Sequence, residues 1–472
     1  MRILSLEAST SSAKAMLYDL DRVESRIETE AFPTQINRPD GTQDAEAVFK
    51  LTVEAGRRVC DGKAVDLIAL GGAWHSVLLC DRNMHPVTPV YSWASTHANG
   101  ICRRLRGNAS YVNHYYQQTG CMVNAIYPYF KLLYMREQGF CLKDYYILGQ
   151  GSYITFRLTG HRAVSDCMAS GSGLMNIHSR RYDADLLDTL DVGEECLSPI
   201  HRYTETVPLD AEGAALLGLR PGIPVIPACS DGGMNQIAIG GYRMGAMSFS
   251  VGTSAAIRLS TQRPVLPDHP ATWCYLSPVG YMSGAATSGA CNCISWYKNA
   301  FLSGVEFEQI EKSFGTVGDT PVFLPFLFGE RCPGWDDARR GALAMLKPDH
   351  GPMEVYQAIC EGILFNVYQC YQRLIAENPV DPRIILSGGV LNSPGWTQMC
   401  ADIFGHTMEI PENQQSSLWG GVVLGAMLLR GEEMADRLLG CYRAITPDLS
   451  RHAAYMRKYQ TYLHQYEHSA HT

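Results

Sequence analysis

At 472 residues the chain is too long for one typical core, so two or three domains are expected. Its 46% hydrophobic and 18% charged content is that of an ordinary globular protein. A net charge of −8 and a pI near 6.0 argue against nucleic acid or an anionic membrane as the main partner, so a phosphorylated ligand must be held by local donors.

Met1-Arg2 leads straight into a strand, Ile3 to Leu6, with no signal peptide ahead of it. The polar run Ser9-Thr10-Ser11-Ser12 and a second strand, Ala13 to Tyr18, complete a hairpin with a hydroxyl-rich tip. Asp44 is placed to cap a helix whose apolar positions Val48, Leu51, Ala55 and Val59 recur at helical spacing. Val65 to Leu70 reads as a strand ending in Gly71-Gly72, with His75 just beyond it. Val77 to Leu79 and Val87 to Tyr91 are further strands. From Ile101 to Glu195 the pattern is mostly helical, with a break at Tyr127-Pro128. The turn at Leu219-Arg220-Pro221-Gly222 enters a strand, Ile223 to Ala228, which leads to Asp231 and Gly232-Gly233.

The second half repeats this plan. Met247 to Ser254 parallels Leu4 to Ser11, giving a strand, a small hydroxyl turn at Gly252-Thr253-Ser254, and another strand from Ala256 to Leu259. Glu354 to Leu374 is a long helix, followed by the strand Ile384 to Leu386 and by Ser387-Gly388-Gly389. Ser393-Pro394 marks a helix N-cap and first turn. Gly420, Gly421 and Gly425 allow close backbone approach. The longest apolar segment, Leu418 to Leu429, is shorter than the ~18 residues that suggest a membrane span. The 16 cysteines contain no Cys-x-x-Cys pair, which fits reduced thiols in a cytoplasmic protein without a zinc site. The expectation is a duplicated α/β fold, divided at 1–243 and 244–472, with a cleft between the halves.

The hydroxyl turns offer backbone N–H and hydroxyl donors to phosphates, and Lys14 adds a charge beside the first; ordinary polar hairpin tips are the alternative. Asp231 can accept a proton from an alcohol or can cap a helix. His75 is either a structural histidine or a ligand donor. The segment Phe328 to Asp336 combines charges with turn residues, which points to a functional or interdomain role.

In this order the motifs resemble the FGGY carbohydrate kinases of the actin-like ATPase superfamily. The resemblance covers nearly the whole chain. It includes Ile3 to Lys14, Gly71 to His75, Tyr127 to Leu132, Ala169 to Leu174, Ser230 to Gly233, Ser250 to Ser254, Gly329 to Asp336 and Ser387 to Trp396. It implies two ribonuclease-H-like domains, with a sugar deep in the cleft and ATP with Mg²⁺ against the second domain. By the same resemblance Asp231 is the general base, and Thr10, Ser11, Lys14, Gly252, Thr253 and Ser254 hold phosphates. Gly388, Gly389 and Asn392 face the nucleoside; Trp74, His75, Asp231 and Gln236 meet the sugar; Glu7 and Asp231 hold Mg²⁺.

The chain departs from the family pattern at Glu7, where Asp is usual, and at Ser9, where Gly is usual. It departs again at Trp93-Ala94-Ser95-Thr96-His97, which lacks the usual two charged groups. Ala73-Trp74-His75-Ser76 and Trp335 lean towards gluconate, whose carboxylate His75 or His97 would meet as a donor. Xylulose or another ketose is the alternative, and a catalytically inactive binding homologue is the alternative of another class. A homodimer is left open.

Overall fold

The computed structural model describes residues 1–312, 314, 320–411 and 417–469. Strands β1 (Arg2–Ala8), β2 (Ser12–Asp19) and β3 (Glu24–Ala31) form an antiparallel meander. Asp44 caps α1 (Ala45–Cys60) by accepting the Ala47 N–H, and Val48, Ala55 and Val59 turn inward. β4 (Leu67–Gly72) then returns parallel to β1. The stretch expected to be mostly helical holds α2 (Pro128–Glu137) and α3 (Gln150–Thr159), but short strands interrupt it. β5 (Val207–Pro208), β6 (Pro224–Ser230) and α4 (Asp231–Ala238) close this half. The strands lie in the order β5-β6-β4-β1-β2-β3.

The second half opens with β7 (Ala246–Val251), β8 (Ala255–Thr261), β9 (Trp273–Leu276) and β10 (Tyr281–Thr287). Next come α5 (Cys291–Phe301), α6 (Pro352–Glu377), β11 (Arg383–Gly388), α7 (Pro394–Phe404) and β12 (Met408–Pro411). The chain ends with α8 (Ser417–Arg430), β13 (Tyr442–Ile445) and α9 (Leu449–His468). This sheet runs β9-β10-β8-β7-β11-β12-β13. In both sheets the opening strand is central, with its hairpin partner on one side and a parallel crossover strand on the other. The repeat seen in the sequence is therefore a repeat of topology.

That topology brings the expected motifs to the carboxyl ends of central strands, where open α/β sheets place their ligands. Glu7 on β1 and Cys229 on β6 both pair with Gly71 on β4, so Asp231 emerges beside Glu7. In the second sheet Val251 pairs with Gly388, which aligns the Gly252 turn with the Gly-Gly pair. Gly388 has φ +95°, and a Cβ there would lie 2.4 Å from the Val251 carbonyl oxygen, so only glycine fits.

One element of the 244–472 half lies on the other side of the division. α8 sits on β1, β4 and α4, and a Cβ on its Gly420 would fall 1.9 Å from the Met234 carbonyl oxygen. Its Leu418, Val422 and Ala426 share a core with Ile3, Met16 and Leu67 of the first sheet. All 16 cysteines are free thiols. Among the described residues no helix is long and apolar enough to cross a membrane.

Candidate active site

Ser230 is the N-cap of α4, its Oγ accepting the Gly233 N–H at 3.0 Å. Asp231 therefore does not cap the helix. Its Oδ1 accepts the neighbouring Gly232 N–H at 2.7 Å, and the carboxyl faces a cavity of about 260 Å³ shared with Thr10 and Ser254. Burial, then the charge of Glu7, lifts Asp231 to about 6; the Gly232 and Trp74 N–H groups and Arg258 act in the opposite direction. Two roomier surface hollows, of about 520 and 550 Å³, contain neither Asp231 nor the hydroxyl turns.

Glu7 is buried, and its Oε2 makes no hydrogen bond; Lys14 Nζ, directly across the strand pair, stands 3.8 Å away. The lysine expected beside the phosphates is thus ion-paired to Glu7. At the first tip Ser9 Oγ donates to the Ser12 carbonyl at 2.8 Å, which leaves Ser11 exposed, while Thr10 Oγ1 accepts from Trp93 Nε1 at 2.9 Å. At the second tip Gly252 N–H donates to the Ser254 carbonyl. The Cys291 and Asn292 N–H groups, opening α5, donate to the Gly252 and Thr253 carbonyls and hold this turn in place. Gly389 lies near Cys291, and Asn392 ends the following short helix, exposed.

His75 has φ +61°, and its Nδ1 lies 2.6 Å from the Gly171 carbonyl oxygen. A carbonyl only accepts, so Nδ1 carries the proton. Burial pushes the imidazole down to about 3 and keeps it neutral. Nε2 is then a lone-pair acceptor, the reverse of the donor role expected for a carboxylate. Lys131 Nζ, itself buried, donates to the His75 and Ile126 carbonyls at 2.8 and 2.7 Å and fixes the unusual backbone. Trp74 also lines the cavity, stacked on His75 with its Nε1 donating to the Cys167 carbonyl.

Two expectations fail on geometry, those for Gln236 and His97. Gln236 is fully buried, and its Nε2 donates to the Ala246 carbonyl and to Ser260 Oγ at 2.9 and 3.0 Å. Five residues along α4, at ~100° per residue, it points away from Asp231 and into the sheet. His97 pairs with Ser95 Oγ at 2.8 Å and packs edge-on to Tyr91, outside the cavity. Trp335 is buried, donating to the Ala271 carbonyl, and does not line the cavity either.

Five charged or aromatic lining residues carry no binding role in the sequence reading: Trp93, Arg258, Trp273, Tyr275 and Arg331. Two of the strands show the signal that marks them. Ala256 and Arg258 alternate on β8, as Trp273 and Tyr275 do on β9, so each pair faces one side. Gly284 of β10 pairs with both Arg258 and Trp273, and a Cβ there would meet the Trp273 ring at 2.4 Å. Its bare backbone makes room for the indole on the cavity face that Arg258 also lines. Arg331 follows Glu330, which is anchored by Arg339 at 2.9 Å, the Tyr466 hydroxyl at 2.7 Å and the Gly334 N–H at 3.0 Å.

Two sheets of like topology, with an acid and two hydroxyl turns meeting between them, define a two-lobed phosphotransferase of the actin-like ATPase fold. The family models for the N-terminal and C-terminal domains of the FGGY family of carbohydrate kinases match residues 2–238 and 247–429. The chain belongs to this family and is an ATP-dependent carbohydrate kinase. A gluconokinase of Bacillus subtilis (strain 168) is 26% identical over 450 residues, covering 90% of this chain and 86% of the relative. Among solved structures, a gluconate kinase from Lactobacillus acidophilus superposes with a TM-score of 0.91 at 24% identity, covering 98% of this chain and 97% of its own. A ligand-bound xylulose kinase from the same organism gives 0.93 at 24% identity, covering 99% and 98%.

Proposed function

We propose that the protein transfers the γ-phosphoryl group of ATP to a hydroxyl of gluconate or a closely related sugar acid, with Asp231 as general base. The observation that carries this reading is that Asp231 shares one cavity with Thr10 of the first hydroxyl turn and Ser254 of the second. At about 260 Å³ the cavity falls below the ~300–1,000 Å³ of pockets for drug-sized ligands, which suits a small polyol. Aromatic walls from Trp74, Trp273 and Tyr275 suit the C–H faces of a sugar.

In this scheme Asp231 takes the proton of the acceptor hydroxyl as its oxygen bonds to the γ-phosphorus and ADP departs. The donors of Thr10, Ser11, Gly252, Thr253 and Ser254 orient the phosphates, while Gly388, Gly389 and Asn392 lie along the nucleoside. Positioning and charge neutralisation supply most of the catalysis in such transfers. The orphaned Glu7 Oε2 and the nearby Asp231 form an oxygen donor set that fits Mg²⁺, and these two residues would hold it. That ion, when bound, neutralises phosphate charge. We assign the nucleotide side to 244–472 and the acceptor mainly to 1–243, with Arg258, Trp273, Tyr275 and Arg331 of 244–472 closing the acceptor cavity.

A coupled ADP-release assay across aldonic acids, ketoses and polyols tests the reading. Gluconate-dependent release that collapses in Asp231→Asn is expected. Release that needs no acceptor, or that survives the substitution, overturns it.

A further inference from the structure

Arg258 and Arg331 both line the cavity that holds Asp231, and the Nε of each is buried without a hydrogen-bond partner. Neither forms an ion pair among the described residues, although other arginines with buried atoms, such as Arg339 and Arg451, do. A half-buried guanidinium with a stranded Nε and no ion pair, facing a cleft, is placed to receive an anion. Lys14 is already matched by Glu7 and His75 is neutral. Two guanidiniums therefore face one cavity carboxyl, Asp231, which is itself reserved for the acceptor hydroxyl.

Position decides which anion. The charge of Arg331 acts on His75, Tyr127 and Tyr275, and His75 and Tyr275 line the cavity on the acceptor's side. Arg258 lies between, coupled to Asp231 on one side and to Arg331 on the other. A transferring phosphoryl group belongs beside Ser254 and Gly252, whereas the groups Arg331 acts on, His75 and Tyr275, are those proposed to meet the acceptor. His75 Nε2, a lone-pair acceptor, repels a carboxylate and welcomes a hydroxyl. We propose that Arg258 and Arg331 form a carboxylate clamp that makes the cleft select polyhydroxy acids over neutral sugars. The clamp rests on the reading of this cavity as the acceptor site. The acid lies with its carboxylate on the two arginines, a mid-chain hydroxyl donating to His75 Nε2, and another hydroxyl at Asp231.

The test uses the full chain, with ADP release and calorimetry on gluconate, on its neutral analogue glucitol, and on xylulose. Wild type prefers gluconate. Arg258→Gln and Arg331→Gln each raise the Kd for gluconate roughly 10- to 100-fold, the worth of a charged hydrogen bond, and leave the Kd of the neutral compounds unchanged. Arg331→Lys, which keeps the charge and loses the fork, retains part of the preference. Unchanged melting temperatures show that the variants fold. Equal turnover of gluconate and neutral sugars by wild type refutes the clamp alone, as does a rise in Kd in the Gln variants that is the same for every acceptor. Absence of acceptor-dependent ADP release with the whole panel refutes the acceptor-site reading itself.

Discussion

Asp231→Asn separates two consequences of the same burial. The carboxyl titrates near 6 in the folded chain against an ordinary 3.8, so between those values the folded state holds a proton that the unfolded state has lost. Stability therefore falls as pH rises from about 4 to about 6, and the full cost above that window is about 3 kcal/mol at 1.36 kcal/mol per unit. Asn carries no charge and escapes this cost. Its stability gain over wild type grows by about 1.4 kcal/mol between pH 5 and pH 7.5. For an unfolding unit the size of the first half, that is roughly 3–6 °C of extra melting temperature. Calorimetric melts of both proteins at the two pH values measure it, while ADP release falls about 10²- to 10⁴-fold, as expected for a lost general base. A melting advantage equal at pH 5 and pH 7.5 would falsify the assignment of Asp231 as the buried acid that titrates near 6.

With Asp231 as the proposed base, wild-type kcat/KM should rise with pH through about 6 and then level, since a base accepts a proton only when ionised; a flat profile from pH 5 to 8 contradicts the proposal. Gln236→Leu removes the donor to the Ala246 carbonyl and to Ser260, so it should cost about 1–3 kcal/mol of stability with the KM for the acceptor unchanged in steady-state assays. Arg339→Met strands the buried Glu330 carboxylate; a loss of about 3–5 kcal/mol in denaturation curves is expected, and an unaltered midpoint contradicts the anchor. Gly420→Ala drives a methyl into the Met234 carbonyl, and a loss of about 1–3 kcal/mol or more should appear in the same curves.

Much of this molecule can be read from local chemistry. Asp44 and Ser393 cap their helices where side-chain oxygens and spacing place them. The two hydroxyl turns and Asp231 come together because each ends a central strand, and strand ends are visible in sequence. Residues inside strands are harder, since facing depends on pairing. Arg258 gains its meaning only when Gly284 and Trp273 are known to lie beside it across the sheet. Gln236 shows the opposite difficulty: the family resemblance set it at the sugar with Asp231, but helical rotation carried it into the core. His75 was visible as a residue, while its hydrogen-bond polarity was hidden until Gly171, far away in sequence, supplied the carbonyl that fixes the tautomer.

The placement of α8 also bears on how the chain is born. The first sheet is complete at Ser230, yet one of its apolar faces waits for Leu418, Val422 and Ala426. At ~5–20 residues per second a ribosome needs roughly 10–40 s to reach Arg430, and through that interval Ile3, Met16 and Leu67 lack their cover. The nascent first half therefore waits with that face uncovered, and a chain cut at 243 would emerge with it bare.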